Sequence, residues 1–182
     1  MKIEIIDNFL SSYHADSYDK IFEGGMNTFP WFFQNDLNGP SYLGNYYFNH
    51  TFIDKNEPTR YAGEYFHAFV PLLLKLNLTT KNNTQYDLQR LWRLKVNLYP
   101  RTHRRVHHPS HRDYHPNWSN VYVTCLYYVN DNNGFTFFDD KRRKVRSKKN
   151  RAIFFDGTNR HHSTTPTDAN FGISINIDYN KS

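Results

Sequence analysis

Seven of the ten histidines fall in two short segments, His103, His107, His108, His111 and His115 in one and His161 and His162 in the other. Imidazoles grouped in this way suit a metal ion, and His111-Arg112-Asp113 adds a carboxylate at a useful offset. On an extended strand residues i and i+2 face the same side, so His111 and Asp113 can grip one ion while Arg112 points away. A third ligand from Arg160-His-His-Ser163, some fifty residues later, completes two histidines and one carboxylate. That set leaves positions open on Fe(II) for oxygen chemistry. The expected ligands are therefore His111, Asp113 and one of His161 and His162. Zinc is the competing metal, through His108, His111 and His161. The chain's one thiol, Cys125, leaves it without the closed Cys/His set that structural zinc prefers.

Holding such ligands requires a rigid frame, and the second half of the chain reads as β structure. From Leu88 onward, β-rich runs at 88–99, 120–129, 134–139, 151–155 and 171–179 are divided by Asn, Asp, Gly and Pro, as in a sandwich or barrel. The first half reads differently. Lys2 to Ile6 predicts a strand, and Ser11 or Ser12 caps a helix that Gly24 and Gly25 stop. Phe29 to Phe33 and Tyr42 to Phe52 are aromatic and extended, and Thr59 to Leu76 has apolar residues at helical spacing, with Pro71 set to kink or split it. The 182 residues, 38% hydrophobic and 18% aromatic, fit one domain. Residues 1–87 form its helical and extended support and 88–182 its β core.

Charge is uneven along the chain. Of 23 Lys and Arg, eight lie between Lys141 and Arg151 with no acid among them, which leaves 15 against 17 acids elsewhere. This stretch reads either as a solvated hairpin balanced partly by Asp139 and Asp140 or as a contact for nucleic acid or another acidic partner. No run approaches the roughly 18 apolar residues of a membrane span, and Glu4 and Asp7 stand where a signal peptide would be basic, then apolar. With Cys125 alone, no internal disulfide forms. The expected setting is cytoplasmic, with no membrane partner, and Cys125 itself reads as core.

Ordered motifs run along nearly the whole chain: Ile5-Ile-Asp-Asn-Phe-Leu10, Phe29-Pro-Trp31, Lys95-Val-Asn-Leu-Tyr-Pro100, His111-Arg-Asp-Tyr114, Tyr127-Tyr-Val-Asn130, Asn133-Gly-Phe-Thr136, Asn150-Arg-Ala-Ile-Phe-Phe-Asp156, His161-His-Ser-Thr-Thr165 and Ile173-Ser-Ile-Asn176. In this order they resemble the Fe(II) and 2-oxoglutarate dependent oxygenases, most closely the small phage and bacterial members related to prolyl 4-hydroxylases. The resemblance implies a mainly β (α+β) fold, a double-stranded β-helix or jelly roll with helices packed outside. It implies Fe(II), 2-oxoglutarate as co-substrate and O2, used to hydroxylate a C–H bond. A protein or peptide of prolyl type is the first expected substrate, with nucleic acid second, through Lys141 to Arg151. The competing class is a non-catalytic module that keeps the metal.

The family pattern of buried strand, short turn and ligand favours His161, six residues after Phe155, with His162 on the opposite face. It also places Thr136 in the pocket. One departure is marked. Family members carry an Arg followed two residues later by Ser to clamp the distal carboxylate of 2-oxoglutarate, and here Ser174 is present but Gly172 stands at the Arg position. Lys95 is the leading substitute, because on an extended strand it shares a face with Asn97 and Tyr99. An Asn-x-Tyr pair contacts the co-substrate in the related AlkB-type demethylases. Arg151 is the second candidate.

Overall fold

The computed structural model describes residues 2–22, 29–35, 46–55, 64–78 and 90–180. In chain order these form β1 (Glu4–Asp7), α1 (Ser12–Phe22), β2 (Phe32–Gln34), β3 (Tyr47–Asp54), a 3-10 helix (Glu64–Phe69) and α2 (Val70–Lys75). There follow β4 (Leu91–Pro100), β5 (Tyr122–Tyr128), β6 (Phe135–Phe138), β7 (Arg143–Arg146), β8 (Arg151–Asp156), β9 (His161–Ser163) and β10 (Phe171–Asn180). Pairing is antiparallel throughout, in a seven-stranded sheet ordered β1-β8-β5-β10-β4-β3-β2 and a three-stranded sheet ordered β7-β6-β9. This is the expected jelly roll.

Two strands at the centre of the large sheet alternate with unusual regularity. In β10, Ile173, Ile175 and Ile177 join one core, and in β4 Leu94 and Val96 do the same. Tyr18, Phe22, Phe69, Leu72 and Leu73 from the helices pack onto that face. Phe52 of β3 meets Phe69 at 4.7 Å between ring centroids. Fully burying side chains of this size contributes roughly 1.5–3 kcal/mol each, so the helical layer is a structural support for the sheet. The residues between them, Gly172, Ser174 and Asn176 in β10 and Arg93, Lys95, Asn97 and Tyr99 in β4, face the space between the two sheets. A polar stripe on the inner face of a buried sheet is costly unless it holds something.

In the first half, β1 and β3 fall on two of the expected extended segments and join the large sheet, while residues 42–45 lie outside the described residues. Ser11 starts α1, accepting from His14 N through its hydroxyl and from Ala15 N through its carbonyl. Gly24 and Gly25 lie outside the described residues, as do 59–63 of the expected long helix. Its remainder is split as Pro71 requires, into the 3-10 helix and α2 with Pro71 in the first turn. No described helix is long and apolar enough to cross a membrane.

The basic stretch is not the simple hairpin expected. Its middle is β7, held by one apolar residue, Val145, which packs with Phe138 and Phe155. Its acids also differ from those expected. Lys148 and Arg151 pair with Asp7, and Lys149 with Asp16 and Asp19, so the stretch is fastened to β1 and α1. Asp139 instead serves His162 and Ser110, and Asp140 lies 3.9 Å from Arg112.

Candidate metal centre and cavity

Three ligand atoms, one each from His111, Asp113 and His161, lie within 4.8 Å of one another. The means of bringing them together differs from the sequence expectation. His111 and Asp113 are not on a strand: His111 forms a single antiparallel bridge with His161, each amide donating to the other's carbonyl at 3.0 and 2.9 Å. The chain then turns, and Asp113 N donates to Gly157 O at 2.9 Å. Two different backbone anchors, rather than a two-residue repeat, aim the side chains at one point. Arg112 leaves the cluster to donate to Thr158 O, although it still lines the rim of the cavity.

Both imidazoles are prepared as ligands. Nδ1 of His111 lies 3.3 Å from Pro109 O and Nδ1 of His161 lies 2.9 Å from Asn159 O. A carbonyl only accepts, so each Nδ1 carries a proton, which leaves Nε2 as the atom that can bind a metal. Those Nε2 atoms face Asp113, at 4.0 Å from Oδ1 and 3.7 Å from Oδ2. Burial, reinforced by His161, lowers the His111 pKa to about 4, so the ring is neutral at pH 7. Burial would raise the Asp113 carboxyl, but the Arg93 guanidinium beside it holds it well below the usual range. Two imidazole nitrogens and one carboxylate are a ligand set that suits a divalent ion.

The alternatives for the third ligand separate cleanly. His162 faces the other side of β9, with Nδ1 3.2 Å from Asp139 Oδ1 and Nε2 3.1 Å from His107 Nδ1. His108 is buried, with Nδ1 2.8 Å from Ser163 Oγ, and takes no part in the cluster. The zinc set of His108, His111 and His161 is therefore not assembled.

Beside the cluster lies a cavity of about 240 Å³. Lys95, Asn97, Tyr99, Thr136 and Ser174, all expected to touch a co-substrate, line it. Register orders them in rows across β4, β10 and β5. Arg93, Asp178 and Thr124 form the row at the metal end, then Lys95, Asn176 and Leu126, then Asn97, Ser174 and Tyr128, then Tyr99 beside Gly172. Lys95 Nζ donates to Tyr47 OH at 2.9 Å and lies 5.0 Å from the centre of that ring. Tyr128 OH donates to Thr136 Oγ1 at 2.7 Å. Asn97 Oδ1 and Asn176 Oδ1 are buried without a hydrogen-bond partner among the described residues. A cation held by a hydroxyl, two orphaned amides and several hydroxyls fit a small carboxylate ligand. The second candidate anchor, Arg151, fails on geometry: its guanidinium is spent on Asp7, and it does not line the cavity.

Several residues here were not read from the sequence. Arg93 Nη2 donates to Asp113 Oδ1 at 2.6 Å and lies 2.7 Å from Asp178 Oδ2. Thr124 Oγ1 lies 3.1 Å from Asp113 Oδ2 and 2.7 Å from Asp178 Oδ1. Asn132 lines the cavity next to Gly172, and Asn176 and Tyr128 contribute polar atoms to it. The alternation of β4 and β10 was the available signal, since Arg93 shares the face of Lys95 and Asp178 that of Ser174.

No protein-family model matches the chain, and no curated protein matches it. Solved structures do. The viral collagen prolyl hydroxylase of Paramecium Bursaria Chlorella virus-1 matches 100% of this chain and 91% of its own at 17% identity and a TM-score of 0.52. A prolyl hydroxylase from Trichoplax adhaerens, in complex with a hypoxia inducible factor oxygen degradation domain peptide fragment, matches 98% of this chain and 83% of its own at 18% identity and 0.56. The non-heme alpha ketoglutarate dependent epimerase SnoN of nogalamycin biosynthesis matches 98% of this chain and 76% of its own at 11% identity and 0.62. At such identities the likeness is one of fold.

Proposed function

We propose that this protein is an Fe(II) and 2-oxoglutarate dependent dioxygenase, with His111, Asp113 and His161 as its metal ligands. The observation that carries the reading is the convergence of two Nδ1-fixed imidazoles and one carboxylate at the end of a cavity that also holds a lysine ammonium. Bound there, Fe(II) supplies the oxidising chemistry, coupling the use of O2 and the decarboxylation of 2-oxoglutarate to succinate and CO2 with hydroxylation of a C–H bond. The chain's own groups bind and orient. Lys95 anchors the distal carboxylate, assisted by Asn97 and Ser174 in the next row, while Tyr99 and Thr136 close that end of the cavity. Leu126 gives an apolar wall, and the two-sheet barrel limits the access of water to the reacting atoms.

The favoured substrate is a protein or peptide of prolyl type. Two lines support it: the Trichoplax neighbour holds a peptide, and Lys148, Lys149 and Arg151 are engaged with Asp7, Asp16 and Asp19 rather than presented to a polyanion. The test is co-substrate binding. Protein loaded with Mn2+, a redox-stable stand-in for Fe(II), should bind 2-oxoglutarate, and a soaked crystal should place its distal carboxylate on Lys95. Metal uptake with no 2-oxoglutarate binding at millimolar concentration would instead leave a metal-holding module of the same fold.

A further inference from the structure

Asp178 is fully buried at the inner end of β10, yet it lines no surface that a ligand would reach. A buried carboxylate needs a partner. Among the described residues its one ion-pair partner is Arg93, and the same Arg93 nitrogen that lies 2.7 Å from Asp178 Oδ2 donates to Asp113 Oδ1 at 2.6 Å. Thr124 joins the two carboxylates from the other side, 2.7 Å from Asp178 Oδ1 and 3.1 Å from Asp113 Oδ2. The four groups make a closed ring. Thr124, Asp178 and Arg93 are direct cross-strand neighbours on β5, β10 and β4, so the sheet fixes three of its corners.

A guanidinium on a ligand carboxylate has two opposed effects. Its hydrogen bond fixes the plane of the carboxylate, as the outer partners of metal ligands do. Its charge also competes with the ion for the same oxygens and repels it. Arg93 with Asp113 alone would be a neutral pair with little charge left for a metal. With Asp178 added, the group carries one net negative charge when both carboxylates are ionised, and Arg93 Nη2 is shared between them.

We infer that Asp178, acting through Arg93, is a positioning residue of the metal centre: it shares the charge of Arg93 so that Asp113 stays oriented and free to bind the ion. The inference rests on the metal centre proposed above. It assigns Arg93, Asp178 and Thr124 a common task that no spacing motif in the sequence expresses.

The test is a double-mutant cycle read by calorimetric titration with Mn2+, with thermal unfolding measured on each variant so that affinity is read on folded protein. Asp178→Asn should weaken Mn2+ binding at least tenfold, because Arg93 then rests on Asp113 alone. Arg93→Met should bind Mn2+ no more weakly than wild type, although it unfolds at lower temperature. Arg93→Met with Asp178→Asn should return affinity to within about threefold of wild type, and Asp178→Glu, which keeps the charge, should stay in that range. A purely structural role would lower the unfolding temperatures and leave Mn2+ affinity equal across the set, which overturns the inference while sparing the metal centre. If Asp178→Asn does not fold, Asp178→Ser takes its place in the cycle, and wild-type Mn2+ affinity in that folded variant overturns the inference. If wild type takes up no Mn2+, the centre and the inference fall together.

Discussion

Asn132 fills the space that a side chain at Gly172 would enter: a Cβ placed on Gly172 comes within 3.1 Å of Asn132 Nδ2. Asn132 is itself held, accepting from Gly134 N at 2.9 Å. The missing arginine of the family pattern is therefore not an empty slot. Gly172→Arg alone should overpack the site, costing roughly 1–3 kcal/mol, without tightening 2-oxoglutarate. Adding Asn132→Ala should relieve the clash and let the new guanidinium bind. Denaturation and 2-oxoglutarate titration of the single and double variants check this; tighter binding by the single variant would contradict it.

Lys95 carries the anchoring role. Lys95→Met keeps most of the stem but removes the ammonium, and should weaken 2-oxoglutarate binding at least tenfold, in line with losing a charge-assisted hydrogen bond worth roughly 1.5–3 kcal/mol. Tyr47→Phe removes only the hydroxyl that steadies the ammonium and should have a smaller effect. Equal binding by Lys95→Met and wild type would place the anchor elsewhere.

The two adjacent histidines should respond in opposite ways. His161→Ala should abolish stoichiometric metal binding, whereas His162→Ala should leave it intact and disturb the contacts with Asp139, His107 and Phe137. Metal analysis of the two purified variants decides the matter, and loss in both would mean that β9 rather than one imidazole was being measured.

Acid should destabilise the metal-free protein through buried imidazoles. Burial, with smaller effects from neighbouring histidines, lowers the His108 pKa from 6.5 to about 4. Between those values the unfolded chain binds the proton that the folded one refuses, so stability is complete above about pH 6.5 and falls as the pH drops toward 4. The loss from one such group reaches roughly 3 kcal/mol. Urea midpoints across this range should decline less steeply in His108→Gln, and an unchanged slope would place the pH dependence on His111 and the carboxylates.

Much of the site was legible because β4 and β10 alternate so strictly. Leu94 and Val96 against Lys95 and Asn97, and Ile173 and Ile175 against Ser174, announce strands with one apolar and one polar face, and the polar face is the one that lines the cavity. What could not be read was the pairing between strands. Arg93 and Asp178 lie 85 positions apart and meet only because β10 and β4 are neighbours in one particular register. The placement of His111 and Asp113 on a strand was wrong in detail, since a bridge to His161 and a turn onto Gly157 do the work that alternation was expected to do. In β7 the density of basic residues concealed a strand whose only apolar signal is Val145, and the acids that pair with Lys148, Lys149 and Arg151 come from the far end of the chain.

The most direct measurement is succinate formation from 2-oxoglutarate by the purified protein, with and without Fe(II) and O2 and in Asp113→Ala. Uncoupled turnover needs no knowledge of the prime substrate. Succinate should accumulate only when both Fe(II) and O2 are present and should vanish in Asp113→Ala. No succinate from protein that binds both metal and 2-oxoglutarate, or undiminished succinate in Asp113→Ala, would contradict the assignment.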